Sequence, residues 1–215
     1  MDDESLKKAI SKAIKKAPKR NFLETVELAI NLKDIDLRDP SKRFTAQVLL
    51  PHKPNKDVSI AVIGDDAFLQ KAKDAGFNEM ISKERLDELA RNPKEARKVV
   101  KRNDFFIALA PMMPLVGKTL GRFLGPRGKM PTPVPPNADP AVFLNRLSRT
   151  VSLRLRQNPV IHAKIGTKDQ PIEELVENAK AVLREVERRL DQGERNVKSL
   201  YVKTTMGPSV KVGEA

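Results

Sequence analysis

The apolar residues of this chain change their period twice, and that change constrains the fold more than any single motif does. Between residues 26 and 50 they alternate: Val26, Leu28, Ile30 and Leu32, then Phe44, Ala46, Val48 and Leu50. Alternation marks strands with one face buried and the other open. It gives way to near-continuous runs, VSIAVI at 58–63 and DFFIALA at 104–110, which suit parallel strands covered on both faces. At VSLRLR (151–156) alternation returns and continues through Val160, Ile161, Ala163 and Ile165. Matching grammar at the two ends implies one domain assembled from residues 1–55 and 152–215. Residues 56–151 are then an insertion whose two adjacent crossings act as a hinge. The expected class is α+β with two domains: an α/β sandwich built from both termini, and an inserted Rossmann-like three-layer α/β domain.

Local signals fill in this frame. Leu6, Ala9, Ile10, Ala13, Ile14 and Ala17 fall on one helical face, with Asp2, Asp3 and Glu4 at its start and Lys15, Lys16 and Lys19 at its end, the order the helix dipole favours. The strands at 26–32 and 43–50 are expected to pair, with a turn at 36–41 between them. Pro51 and Pro54 make a semi-rigid joint at the first domain crossing. Residues 151–165 read as a hairpin. Ile172, Leu175, Ala179, Val182, Leu183, Val186 and Leu190 make a long amphipathic helix, with Pro171 at its start and Gly193 past its end. Two helices then cover one face of the first domain's sheet and leave the other available to a ligand.

The last strand, 196–203, runs into YVKTTMGPS (201–209). Tyr201 and Val202 suit a strand, and Gly207-Pro208 ends it. What remains is a hydroxyl-rich, nearly uncharged platform at a strand end. Read alone it is a strand closing in a turn.

The inserted domain, with strands alternating with helices through Asp65-Asp66, Ser82 and Pro93, raises the question of an enzyme. The signature of a nucleotide site is missing. The first strand ends in Gly64-Asp65-Asp66, whose charge opposes a pyrophosphate. The glycines lie later, in GKTLGRFLGPRGKMP (117–131), where Lys118-Thr119 lacks the upstream glycine of a phosphate loop and Lys129 precedes Met130. Residues 111–156 hold eight Lys or Arg (Lys118, Arg122, Arg127, Lys129, Arg146, Arg149, Arg154, Arg156) against Asp139 alone. That stretch reads either as a solvated loop surface or as a glycine-rich loop that approaches a phosphate backbone. Residues 131–140, PTPVPPNADP, read as a stiff extended spacer.

Net charge narrows the partner. At +13 the chain favours a polyanion, nucleic acid before an anionic membrane surface. With no Trp and one Tyr, base stacking is not the main mode of contact. Cys is absent, which removes disulfides, thiolate metal sites and a catalytic thiol. No apolar run approaches the length of a spanning helix, and MDDESLKKAI lacks the apolar core of a secretory signal. His52 and His162 stand apart in sequence and read as structural or surface residues. No catalytic residue, cofactor or metal site is expected.

NFLETVEL (21–28), VLLPH (48–52), GRFLGPRGKMP (121–131), IHAKIG (161–166) and SLYVKTTMGPS (199–209), in this order, resemble the large-subunit ribosomal protein L-one family, in its archaeal form. The resemblance implies a cytoplasmic, non-enzymatic protein, monomeric when free, that holds large-subunit ribosomal RNA through the domain built from the termini. It implies a mobile stalk near the exit site, contact with exit-site tRNA during its release, and repression through the protein's own messenger RNA. Carried over by motif, the RNA contacts are Phe22, Thr25, Glu27, Lys164, Ser199, Thr205, Met206 and Gly207. Related sequences have an acidic-Lys-hydroxyl loop where this one has Gln157-Asn158-Pro159, so Gln157 and Asn158 take those positions with altered chemistry. An A-form duplex hides its base edges in a deep groove, so hydroxyls, a glycine amide and a carboxylate that accepts from ribose suit its backbone and 2′-hydroxyls.

Overall fold

The computed structural model describes residues 3–213, which divide into two compact units: the described residues up to Lys56 with those from Arg149 onward, and Asp57–Ser148. The chain opens with α1 (Asp3–Lys16), β1 (Thr25–Leu32) and β2 (Phe44–Leu49). The second unit contributes β3 (Ile60–Ile63), α2 (Asp66–Asp74), β4 (Glu79–Ile81), α3 (Lys83–Arg91), α4 (Pro93–Arg102), β5 (Phe105–Leu109), α5 (Met113–Leu124), β6 (Thr132–Val134) and α6 (Pro140–Ser148). The chain then returns to the first unit with β7 (Thr150–Leu155), β8 (Val160–Thr167), α7 (Ile172–Arg189), β9 (Val197–Thr204) and β10 (Val210–Lys211). This is the α+β class expected from the alternation of periods.

In the first unit β10, β9, β1 and β8 form an antiparallel sheet in that order. Burial along β1 alternates strictly, with Val26, Leu28, Ile30 and Leu32 inside. They share a core with Leu6, Ile10 and Ala13 of α1 and Leu175, Ala179, Val182 and Val186 of α7. Asp2, expected at the start of the first helix, lies outside the described residues.

Two expected pairings are corrected. β1 does not pair with β2, and β7 does not form a hairpin with β8. Instead β2 and β7 pair with each other, from Phe44↔Leu155 to Leu49↔Thr150. The physical reason is edge occupancy. Both hydrogen-bonding edges of β1 are filled, by β8 and β9, while β2 and β7 are the strands that leave and re-enter the unit. The alternating period says which face of a strand is buried and is silent on its neighbour. The Leu50 amide also donates to the Arg149 carbonyl at 2.9 Å, so the outgoing and returning chains run side by side up to the second unit.

The outgoing joint is fastened within the first unit. Buried Asn178 of α7 accepts from the His52 amide (2.9 Å) and donates to the carbonyls of His52 (3.0 Å) and Ile165 (2.7 Å). Gln170 donates to the Lys53 carbonyl at 3.1 Å.

The second unit holds a parallel sheet, β4-β3-β5-β6. All four residues of β3 are buried. Ala61 and Ile63 face a core with Phe106, Leu86, Val100 and Leu120; Ile60 and Val62 face another with Phe68, Ile107 and Leu147. Helices therefore cover both faces. Here too the structure corrects two expectations. The proline-rich spacer contains β6, which pairs with β5 from Ile107↔Thr132 to Leu109↔Val134; Pro133 is tolerated because β6 is an edge strand. The glycine-rich stretch is not a loop through its first half. Gly117 and Gly121 lie inside α5, whose Val116, Leu120 and Leu124 are buried one helical turn apart. Among the described residues no helix is long and apolar enough to cross a membrane.

Candidate nucleic-acid interface

The antiparallel register of β1 and β9, Val26 opposite Thr204, brings the two ends of the chain together. Just past this pair the Thr205 amide donates to the Thr25 carbonyl (3.0 Å), and the Thr25 amide donates back to Thr205 Oγ1 (3.1 Å). Glu24 fixes the turn that follows. Its Oε1 accepts from the Thr204 hydroxyl (3.1 Å) and from the Met206 amide (2.9 Å). Glu24 is 2% exposed. Its Oε2 has no hydrogen-bond partner among the described residues and sees Lys168 Nζ at 3.7 Å. Burial pushes this carboxyl up; the Met206 amide, the Thr204 hydroxyl and Lys168 outweigh it and hold the group below its ordinary value. Gly207 is demanded here by the fold itself, since a Cβ would run into the Thr204 hydroxyl and meet Ala17 at 3.4 Å.

This arrangement leaves two large apolar side chains in water. Phe22 is 53% and Met206 56% exposed, and Phe22 lies two residues before the carboxylate that holds the Met206 amide. Leu49, Met130 and Val142 are comparably exposed elsewhere, so exposure alone marks no partner; what sets Phe22 and Met206 apart is that Glu24 ties their two segments together.

The face of β1 turned away from the core carries Thr25, Glu27, Ala29 and Asn31, all half-exposed. The register sets their neighbours. Glu27 stands between Lys164 of β8 and Lys203 of β9, Ala29 between His162 and Tyr201, and Asn31 between Val160 and Ser199. Glu27 makes no ion pair with either lysine among the described residues, so its carboxylate is free to accept from a ligand. Asn31 Nδ2 donates to Ser199 Oγ at 2.9 Å.

The sequence-predicted residues thus fall into two groups. Phe22, Thr25, Glu27, Lys164, Thr205, Met206 and Gly207 gather at the start of β1. Ser199 lies opposite Asn31 near its other end, and the exposed turn with Gln157 and Asn158 lies beyond, where the Leu32 amide donates to the Pro159 carbonyl (2.8 Å). Some six strand residues separate the groups, about 20 Å at 3.3 Å per residue. One open sheet face spans both.

Sequence reasoning passed over Glu24, Asn31 and Lys203. Glu24 is in the NFLETVEL motif, but nothing in sequence ties it to an amide at residue 206. Two residues of the stretches that the sequence already sets apart from a nucleotide site have structural roles. Lys129 Nζ donates to the carbonyls of Val100 (3.2 Å) and Asn103 (2.6 Å), closing the end of α4. Asp65 caps α2 by accepting from the Phe68 amide at 2.9 Å. His52 Nε2 bonds Glu177 Oε2 at 2.7 Å, a structural contact in the joint.

Residues 12–208 match the family model described as the ribosomal protein L1p/L10e family. The chain belongs to this family. Within it, the chain is 52% identical to the large ribosomal subunit protein uL1 of Thermococcus kodakarensis, over 98% of both chains. It is 48% identical to the uL1 protein of Pyrococcus horikoshii, over 98% of this chain and 96% of that one. With the uL1 protein of Methanothermobacter thermautotrophicus it shares 46%, over 96% of this chain and all of the other. These relatives are archaeal, as the resemblance to the archaeal form of the family implied.

Proposed function

We propose that this chain is a cytoplasmic component of the large ribosomal subunit and that the open face of its antiparallel sheet binds large-subunit ribosomal RNA, with Thr205-Met206-Gly207 and Phe22 at the centre of contact. The observation that carries this reading is the construction of the turn at 204–207. A buried carboxylate and a glycine with no room for a side chain are both used to present an exposed methionine and a threonine beside an exposed phenylalanine. Thr205, Thr25 and Glu27 supply hydroxyls and an acceptor for 2′-hydroxyls, Met206 and Phe22 pack on sugars and exclude water, and Lys164 and Lys203 draw in the phosphates.

The finer roles rest on family membership and are part of the same proposal. A messenger segment folded like the ribosomal site competes for this face, so the protein represses its own translation. The inserted unit, joined by two neighbouring crossings, swings on the ribosome as the stalk and contacts deacylated tRNA leaving the exit site. The rival is an enzyme using the parallel sheet. It has a cleft of about 590 Å³ at the carboxyl ends of the strands, lined by Gly64, Asp65, Asp66, Lys83, Glu84 and Met112 among others. Its charged residues are three acids against one lysine, and Asp65 is engaged as a cap, which opposes a nucleotide phosphate.

Filter binding tests the platform. Thr205→Ala and Met206→Ala should each weaken a ribosomal RNA fragment and a leader fragment of the protein's own message in parallel, by about 1–3 kcal/mol, with circular dichroism unchanged. Wild-type affinity in both variants overturns the assignment.

A further inference from the structure

We propose where the inserted unit, given a tRNA contact above, touches RNA: a cleft between α4 and the end of α5 that grips the phosphodiester backbone of a strand, an inference that rests on that reading. The cleft, about 400 Å³, is lined by Pro93, Arg97, Arg122, Phe123, Pro126 and Arg127. Three of its six lining residues are arginines and none is acidic. Two other arginines of this unit are neutralised: Arg85 pairs with Glu88 and Glu95, and Arg102 with Glu79. Among the described residues Arg97, Arg122 and Arg127 have no carboxylate partner. Two of them instead lie against one aromatic ring, with the guanidinium carbons of Arg122 and Arg97 at 4.7 and 5.8 Å from the centroid of Phe123.

The chemistry of this cluster selects an anion with several acceptor oxygens. Like charges gathered without counter-charge repel one another, and a phosphate relieves that repulsion while accepting from guanidinium forks. The ring holds two guanidiniums in place by cation–π attraction, which lowers the freedom lost on binding. A strand fits better than a free nucleotide. All three arginines and both prolines are exposed, so the cleft meets a backbone laid across it and encloses nothing. It also lacks the carboxylate that would select a ribose or hold a metal beside a triphosphate. The sequence points to the same place, because Arg122–Arg127 is the heart of GRFLGPRGKMP, whose Lys129 is taken up in the fold. The inference does not rest on the sheet-face platform, which belongs to the other unit.

The test uses the full chain and an oligouridylate of about twelve nucleotides, long enough to cover one site. The triple variant Arg97→Gln, Arg122→Gln, Arg127→Gln should bind it at least ~10-fold more weakly and lose about two units of salt slope, at ~0.7 per phosphate contact. A thermal melt checks that the variant folds. Independently of any variant, a 4-thiouridine oligonucleotide should crosslink to the tryptic peptide 123–127 of the wild-type protein. The platform variant Phe22→Ala, Met206→Ala should keep that crosslink while losing a structured ribosomal RNA fragment, so the two sites fail separately. Unchanged oligonucleotide affinity in a folded triple variant, with no crosslink at 123–127, overturns the proposal. Saturable ATP binding that the triple variant loses, with oligonucleotide binding untouched, overturns it in favour of a free-nucleotide site.

Discussion

In β3, Ala61 and Ile63 face one core while Ile60 and Val62 face another, and no side chain of the strand meets water. In β1, Val26, Leu28, Ile30 and Leu32 are buried while Thr25, Glu27, Ala29 and Asn31 remain half-exposed. The two sheets use similar apolar residues and differ in how many faces are covered. The difference decides where each unit can meet a ligand. The antiparallel sheet offers its own open face, with the candidate contact side chains at every second position and spacing set by the pleat. The parallel sheet has no open face to offer, so a partner of that unit is left with helix surfaces and turns, the kind of place proposed at Arg97, Arg122 and Arg127.

The hardest blow to this contrast is a cavity in the doubly covered sheet. Phe106 is among the largest fully buried side chains. Phe106→Ala should cost about 3–5 kcal/mol of stability, read as an early melting step for the inserted unit. Affinity for a ribosomal RNA fragment should stay within about twofold, since about 0.4 kcal/mol is the limit of coupling expected for distant sites. Loss of that affinity in step with the melt would show that the open face is not self-sufficient.

A smaller effect is expected at Glu24, where the open sheet carries its own buried group. Glu24→Ala removes the acceptor for the Thr204 hydroxyl and the Met206 amide, so about 3 kcal/mol is expected from two charge-assisted bonds. RNA affinity falls with it, because Met206 is no longer held. The pH dependence has a definite sign. The Glu24 carboxyl lies below its ordinary value of 4.5, so the folded state favours its ionised form. That stabilisation is complete above the ordinary value and is lost as pH falls through the folded value. Comparing wild type with Glu24→Gln in urea melts, the stability gap should be widest near neutrality and close in acid. A gap that widens in acid would mean the carboxyl is protonated in the fold.

How much of this was legible follows from what a period can encode. The open face of β1 and the closed faces of β3 and β5 were readable, because burial acts on each side chain where it stands. Partner choice was not. Alternation in β2 and β7 is the same whether they pair with each other or with β1 and β8, and only the adjacency of the two crossings at Leu50 and Arg149 decides it. The α5 helix was hidden by Gly117 and Gly121, where an added Cβ would meet nothing; each costs a helix roughly 1 kcal/mol relative to alanine, and Val116, Leu120 and Leu124 outweigh that by burial. Phe22, Thr205 and Met206 were reached through the family motif. Glu24 lies within that motif and was still passed over, since its partners are 180 and 182 residues away.

The finest test separates two carboxylates three residues apart. Glu24 is buried and spent on the turn; Glu27 lies between Lys164 and Lys203 and pairs with neither. If Glu27 were a structural counter-charge, Glu27→Gln would release two crowded lysines and destabilise the sheet. With no ion pair to lose among the described residues, its effect on stability should stay within about 0.5 kcal/mol. The substitution also removes a negative charge from the face proposed to bind a polyanion, so long-range attraction alone predicts tighter binding. A role as acceptor for a ribose hydroxyl predicts the reverse, a loss of about 1 kcal/mol as a charged acceptor becomes a neutral one. Raising salt screens the first effect and spares the second. Glu27→Gln should therefore weaken binding to a ribosomal RNA fragment, and more visibly at high ionic strength than at low. Tighter binding at every salt concentration would remove Glu27 from the contact surface and leave its hydroxyls, Thr25 and Thr205, as the uncharged polar groups at the start of β1.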